Sequence, residues 1–297
     1  MDLLQLHYFR TVARLDHVTR AAEELRVAQP ALSKTIARLE AELGVSLFDR
    51  RGRRVVLNAC GRAFLRHVER AFIEIEEGRQ ELADLEGRAH GTVIIAATTL
   101  RLLPDLLGAF RNRHPGVTFR LFQASTAEMQ ERLVDGEVDL CLASAPIAGP
   151  AICSVALFTE EILLAVPPQH RLAGRGRIRL GEVAAEPFIS AKPGYWSRDL
   201  TDDACRQAGF IPDTICEGDE PGAIRSLVAA GLGVAFLPMS ARQAGAGPEV
   251  AWLHITEPAC QRTVSLVWRE NRYLSAAVRQ FRQFAEEYFV PVPGRVG

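Results

Sequence analysis

The chain lacks any long apolar run. None of its 297 residues fall in a stretch approaching the roughly 18 consecutive apolar residues that a membrane span needs. The opening MDLLQLHYFR carries an early acid and lacks the basic region, apolar core and small-residue site of a secretory signal, so a cytoplasmic protein is expected. The six cysteines (Cys60, Cys141, Cys153, Cys205, Cys216 and Cys260) form no C-x-x-C pair, and most sit in apolar surroundings. That argues against disulfides and zinc and for small buried side chains in a reducing compartment. Catalytic signatures are missing as well: there is no G-x-S-x-G, no H-E-x-x-H and no G-x-x-x-x-G-K. Gly231-Leu232-Gly233 precedes a strand-like run and lacks a third glycine, so it is no dinucleotide fingerprint. The histidines are scattered; His170 and His254 have no nucleophile–carboxylate pattern beside them and read as structural. Net charge is only −1, but it is unevenly spread. Residues 1–58 hold ten Lys+Arg against seven Asp+Glu, and the remainder 25 against 29. A basic amino-terminal piece on an acidic body suits a nucleic-acid reader attached to something else.

What is present centres on residues 18–54. Thr19 reads as the cap of a short helix ending near Leu25, with Ala21, Ala22 and Leu25 as its apolar side. After a break at 26–28, a second helix is expected from Gln29 to Leu43, with Pro30 in its first turn, where a missing N–H costs nothing. Leu32, Ile36, Leu39 and Leu43 give it a buried stripe. Gln29, Ser33, Lys34 and Arg38 occupy the other side and are able to bond base edges or phosphates. A helix of this width fits the major groove, and the pair reads as a helix-turn-helix. Arg50, Arg51, Arg53 and Arg54, set around Gly52, suit a hairpin wing over the phosphate backbone. A helix over 1–15 with the stripe Leu3, Leu6, Phe9, Val12 and Ala13 covers the pair.

These residues resemble the amino-terminal signature of LysR-type transcriptional regulators. The matching motifs are T-R-A-A-x-x-L at Thr19–Leu25, Q-P-A-L-S-x-x-I-x-x-L-E-x-x-L-G at Gln29–Gly44, L-F-x-R at Leu47–Arg50 and L-x-x-x-G at Leu57–Gly61. One departure is Ala28, where the family commonly has a Ser; a helix cap is lost there. The resemblance implies double-stranded DNA as partner, a dimer through a linker helix, tetramers formed as dimers of dimers, and contact with RNA polymerase. It also implies a winged helix-turn-helix (1–58), a linker helix (59–88) and a two-lobed α/β effector domain resembling periplasmic binding proteins (89–297). Lobe I would span about 91–161 and 267–297, and lobe II about 162–266.

The rest of the chain is read from its own patterns. Asn58 looks like the cap of a long helix to about Glu86, whose stripe Phe64, Val68, Ala71, Ile75, Gly78, Leu82 and Leu85 alternates spacings of four and three, a heptad seam. Strands expected at 93–97, 117–123 and 138–143 alternate with helices at 104–113 and 125–134, which implies a doubly wound parallel sheet. Further strands are expected at 162–166, 187–189, 215–217, 234–237 and 264–268, and helices at 198–208, 222–230 and 274–288.

Ligands of open α/β sheets lie beyond strand carboxyl ends and at helix amino-termini. That rule singles out Thr98, Thr99 and Leu100, then Ser125 and Thr126, and in the second lobe Ser190, Tyr195 and Trp196. Hydroxyls and free N–H groups suit a small carboxylate or other anion as effector; no metal or cofactor is expected. The competing reading is a small-molecule binding protein or enzyme whose helical amino-terminus serves only as an interaction arm.

Overall fold

Polar contacts close the first turn of helix α1 (Leu3–Leu15). Asp2 accepts from the Gln5 N–H at 2.8 Å, and the Gln5 side chain accepts from the Asp2 N–H. The computed structural model describes residues 1–51, 54–86, 91–243 and 248–289, with the side chains of residues 50, 51 and 83 left aside. It divides into two units, Met1–Leu82 and Ala83–Gly297.

In the first unit, Leu6, Phe9 and Val12 of α1 are buried as the stripe requires. Leu3 is not; it is exposed. The burial at that end goes to Gln5, whose Nε2 donates to Glu42 Oε1 at 3.4 Å. Asp16, in the left-handed region, ends α1 and leaves His17 extended, so α2 (Val18–Leu25) starts before Thr19. Thr19 is therefore an exposed second residue of the helix and not its cap. Helix α3 (Gln29–Leu43) buries Leu32, Ile36 and Leu39, while Leu43 is half-buried. Ala28 occupies its cap position in extended conformation with no side-chain bond.

The motif residues after α3 have physical jobs. Gly44 takes φ +72° to end the helix, a conformation L side chains rarely adopt. The Glu40 carboxylate accepts from the backbone N–H of Leu47 (2.7 Å) and Phe48 (3.2 Å), which ties α3 to the strand that follows. Strands β1 (Phe48–Arg51) and β2 (Arg54–Leu57) pair antiparallel as a hairpin whose two tip residues, 52 and 53, lie outside the described set. Asn58 accepts from the Gly61 N–H at 2.9 Å and opens α4 (Ala59–Leu85) as expected. A Cβ on Gly61 would stand 2.0 Å from the Leu47 carbonyl oxygen and 2.7 Å from Leu57 Cδ2. Only glycine lets the helix start this close to the wing.

The seam of α4 is divided. Phe64 and Val68 join the core of the first unit, whereas Ile75, Leu82 and Leu85 are exposed.

The second unit runs β3 (Thr92–Ala97), α5 (Leu103–Arg113), β4 (Thr118–Gln123), α6 (Thr126–Asp135), β5 (Leu140–Ala143) and β6 (Ile152–Val166). It continues through β7 (Arg177–Ile178), β8 (Pro187–Ala191), α7 (Trp196–Gln207), β9 (Asp213–Gly218), α8 (Pro221–Ala229) and β10 (Ala235–Pro238). It ends with α9 (Met239–Gln243), β11 (Ala251–Ile255), β12 (Gln261–Arg269) and α10 (Ala276–Tyr288). The expected parallel order holds for β4, β3 and β5. It then breaks, because β12 pairs antiparallel with both β5 and β6. The sheet is mixed rather than doubly wound throughout. The apolar run 162–166 is the last third of a 15-residue strand: residues 152–161 pair only with β12, and residues 162–166 lie between β10 and β11 in the second lobe. Strands β6 and β12 thus carry the chain between lobes. Each lobe has its own core, one around Phe110, Phe281 and Leu266, the other around Phe188, Leu164 and Leu253. Among the described residues no helix is long and apolar enough to cross a membrane.

Replacing Gly61 by Ala should push α4 away from the wing and cost about 1–3 kcal/mol, the usual range for overpacking. Urea unfolding of the full chain followed by circular dichroism measures the loss; an unchanged midpoint would show that the close approach is not needed.

Candidate functional site

Two surfaces carry the chemistry, one on each unit. On the first unit, α3 turns its buried stripe inward and leaves Gln29, Pro30, Lys34 and Arg38 exposed, with Ser33 half-buried. Gln29 Nε2 donates to Ser33 Oγ at 2.9 Å, and Arg38 Nε donates to Glu42 Oε1 at 3.0 Å, so this face is already ordered. Glu42 also pairs with the amino-terminal ammonium; that bond and those from Gln5 and Arg38 hold its carboxyl below the usual range. Thr19 and Arg54 are exposed as well. Arg50 and Arg51 lie on β1 by their backbone; their side chains, and Arg53 entirely, are outside the described set.

On the second unit, a cavity of about 620 Å³, part of it open to solvent, lies between the lobes. Thr98 and Thr99, following β3, form its wall on the first lobe. Ser190 on β8 and Tyr195 and Trp196 at the start of α7 form the facing wall. Those five expected residues are brought together. The other three are not. Leu100 opens a short 3-10 turn and packs on the core of the first lobe. Ser125 is held as the cap of α6: its hydroxyl accepts from the Glu128 N–H, and Glu128 accepts in return from Ser125 N at 2.7 Å and Oγ at 2.9 Å. Thr126 follows as the first helical residue and does not reach the cavity wall.

Sequence reasoning missed most of the apolar lining beside Phe236: Ile162, Ile189, Ile224, Leu237 and Pro238. Ile162 on β6, Ile189 on β8 and Leu237 and Pro238 on β10 meet around the cavity with Ile224 of α8, and the pairing of β10 with β6 brings two of those strands side by side. Asp219 at the mouth was missed too. Its side chain pairs with Lys192 Nζ at 2.8 Å, and its carbonyl accepts from Gln123 Nε2 of the first lobe at 3.0 Å. That pairing lowers the Asp219 carboxyl and raises the Lys192 ammonium. Glu220, which follows, does not face the cavity; its carboxylate caps α8 by accepting from the N–H groups of Gly222 and Ala223.

Behind the cavity lies a buried network that links the lobes. Arg262 on β12 stands opposite Glu160 on β6, with Nε and Nη2 donating to Glu160 Oε1 at 2.7 and 2.5 Å. Its Nη1 donates to Ser144 Oγ at 3.1 Å, and Ser144 Oγ is 3.5 Å from Thr98 Oγ1. Glu160 also accepts from Ser240 N at 2.6 Å and Oγ at 3.2 Å in the second lobe. The Arg262 guanidinium lies 4.9 Å from the Trp196 ring centroid, so it backs the aromatic wall. On its far side Trp196 borders a second, wider hollow of about 970 Å³ lined by Ser144, Ser265 and Arg262.

The histidines and cysteines complete the inventory. His254 Nδ1 is 2.9 Å from Glu161, and His170 Nε2 3.3 Å from Glu186, so both have carboxylate neighbours that the sequence did not reveal. Cys141, Cys205 and Cys260 are buried as expected, Cys153 and Cys216 are half-buried, and Cys60 is exposed. Burial pushes the Cys141 and Cys205 thiols up to about 12 and Cys260 up to about 11. Among the described residues no His, Cys, Asp or Glu cluster is placed to hold a metal ion.

Comparison with known proteins covers both units. Residues 3–62 match the family model of the bacterial regulatory helix-turn-helix protein, lysR family, and residues 86–290 match the LysR substrate binding domain. The chain is 38% identical to the uncharacterized HTH-type transcriptional regulator YybE of Bacillus subtilis (strain 168), over 97% of this chain and 99% of that protein. It is 36% identical to the transcriptional dual regulator GltC of the same organism, over 97% and 98%. Among solved structures, full-length CbnR complexed with its target DNA aligns at TM-score 0.74 and 25% identity over 97% of this chain and 99% of that one. Full-length OxyR C199D from Pseudomonas aeruginosa aligns at TM-score 0.73 and 24% identity, over 97% and 94%.

Two outcomes follow. Arg262→Met leaves Glu160 as a buried, uncompensated carboxylate and should cost about 3–5 kcal/mol, while adding Glu160→Gln should recover most of it. A double-mutant cycle by urea unfolding measures this, and additive losses would mean that the two side chains do not act as a pair. Because a raised thiol pKa leaves little thiolate at pH 8, a thiol reagent such as dithionitrobenzoate should modify Cys60 rapidly in the native protein and spare Cys141, Cys205 and Cys260. Mass mapping of the labelled peptides gives the answer, and fast labelling of Cys205 would contradict it.

Proposed function

Because the chain belongs to the LysR family of transcriptional regulators, with a helix-turn-helix DNA-binding domain and an effector-binding domain, we propose that α3 enters the major groove of its operator under control of a small molecule held between the lobes. Gln29, Pro30, Ser33, Lys34 and Arg38 face base edges or phosphates, with Thr19 at the groove margin. Arg50, Arg51, Arg53 and Arg54 sit over the backbone. The observation that carries this reading is the division of α3 into a buried stripe and an exposed, ordered polar face. The likeness to CbnR, solved on its target DNA, supports it.

The oligomer follows from α4. Ile75, Leu82 and Leu85 continue the heptad spacing of Phe64 and Val68 but are exposed in a single chain. A second copy of the same helix covers such a stripe, and the resulting two-fold axis presents two recognition helices to paired half-sites about 34 Å apart. Dimers pair into tetramers, and ligand occupancy alters how they bend DNA and admit RNA polymerase. This work is done in the cytoplasm, where the DNA is. Thr98, Thr99, Ser190, Tyr195 and Trp196 hold the effector. The reading of the helical amino-terminus as a mere interaction arm has no observation in its favour.

Arg38→Ala should lower affinity for the DNA upstream of the chain's own gene about tenfold while the fold survives. Fluorescence anisotropy at several salt concentrations tests this, with log affinity falling linearly in log salt for the wild-type chain. Unchanged affinity would remove Arg38 from the interface.

A further inference from the structure

The cavity between the lobes is dry on most of its wall. Ile162, Ile189, Ile224, Phe236 and Leu237 are all buried side chains facing it. Among the described residues no lysine, arginine or histidine lines it. The nearest cations are already engaged: Lys192 with Asp219, and Arg262 with Glu160. The amino-terminus of α8, which would otherwise offer N–H groups to an anion, is filled by the carboxylate of Glu220. Among the described residues the one charged side chain in the lining is itself an acid, Asp219.

The polar groups that remain are hydroxyls and the first backbone N–H groups of α7, whose cap residue Tyr195 makes no side-chain bond. Thr201 donates to the Ser197 carbonyl at 2.8 Å, and Ser190 bonds Thr214 at 3.1 Å, so both are already used. Thr98 and Thr99 have only long contacts, at 3.5 Å to Ser144 Oγ and at 3.4 Å from the Arg101 N–H. They are buried, adjacent and on the wall opposite the aromatic pair. Tyr195 reports the local field. Its phenol is held above the usual tyrosine range, first by burial and then by the charges of Asp219 and Glu128, with Lys192 opposing. The surroundings that resist a phenolate there resist a ligand carboxylate in the same way.

We infer that this cavity selects an uncharged, largely apolar small molecule with a carbonyl- or amide-type acceptor for Thr98 and Thr99, and not the small anion that its hydroxyls alone suggest. This rests on the reading of the cavity as the effector site. An apolar body fills the space between Phe236, the isoleucines and the Tyr195–Trp196 wall. The acceptor takes the two threonine hydroxyls, whose donors need no charge to be satisfied. A carboxylate in the same place gives up its water for two neutral hydroxyls, with no cation to offset the burial.

Benzamide and benzoate are a matched pair for the test, equal in size and differing in charge. Isothermal titration of the full-length chain at pH 7.5 should show benzamide binding at least tenfold more tightly than benzoate, and Thr98→Val/Thr99→Val should abolish the preference. Ala191→Leu, which adds bulk inside the cavity, should block benzamide. Benzoate binding as tightly as benzamide, still dependent on the threonines, would overturn the ligand class while leaving the cavity as the effector site. Failure of both probes to bind, or binding unaffected by the threonine and Ala191 changes, would overturn the ligand class together with the placement of the site.

Discussion

The second unit depends on one cross-strand pair, Arg262 with Glu160. Both side chains are withdrawn from water at the point where β6 and β12 pass from one lobe to the other. A buried ion pair is tolerated only when its hydrogen bonds are nearly complete. Here Glu160 accepts from two guanidinium nitrogens and from the backbone and hydroxyl of Ser240, and Arg262 also donates to Ser144. Slipping β12 by one residue would turn Arg262 to the opposite face and leave Glu160 buried without it. The pair therefore fixes how the crossing strands align. That alignment in turn sets Thr98 across from Trp196, since Ser144 touches the first and Arg262 backs the second.

The first unit reaches a similar end by other means. Its wing is joined to the helices through backbone groups: Glu40 receives the N–H groups of Leu47 and Phe48 where the first strand begins, Asn58 donates through Nδ2 to the Ser46 carbonyl at 2.8 Å, and Gly61 lets α4 start against Leu47. None of these residues faces the recognition surface. They hold the angle between α3 and the hairpin, and that angle decides whether groove and backbone can be met together.

Much of the first unit was legible because its signals are local. A three-to-four stripe, a proline in the first turn and a glycine in the left-handed region each announce themselves within a few residues. The capping box at Ser125 was legible for the same reason, and it also shows why that serine is a poor ligand: its hydroxyl is already committed. What stayed hidden is long-range. Residues 152–161 form a segment of β6 paired on one side only; its apolar run Val155–Phe158 is short, and nothing local shows that it continues past Glu160 and Glu161 into 162–166 as one strand. The partnership of Glu160 with Arg262 spans 102 residues and has no trace in spacing. The same holds for the cavity. Its hydroxyls follow strand ends and could be read off, but its apolar lining exists only because β8 and β10 converge on β6, through Phe188 beside Val234 and Ala235 opposite Ala165.

This arrangement also bears on how much force a ligand needs. The mouth of the cavity is spanned by the Gln123–Asp219 bond, an exposed contact of a kind worth about 0.5–1.5 kcal/mol net. The floor is held by the buried network, which is far costlier to disturb. A molecule seated between Thr98 and Trp196 thus meets a soft rim and a stiff hinge. A ligand shifts a two-state equilibrium only by its differential affinity for the two states. With so weak a contact at the rim, a modest difference in affinity would be enough to change the angle between lobes, while the strands that carry it would stay in register.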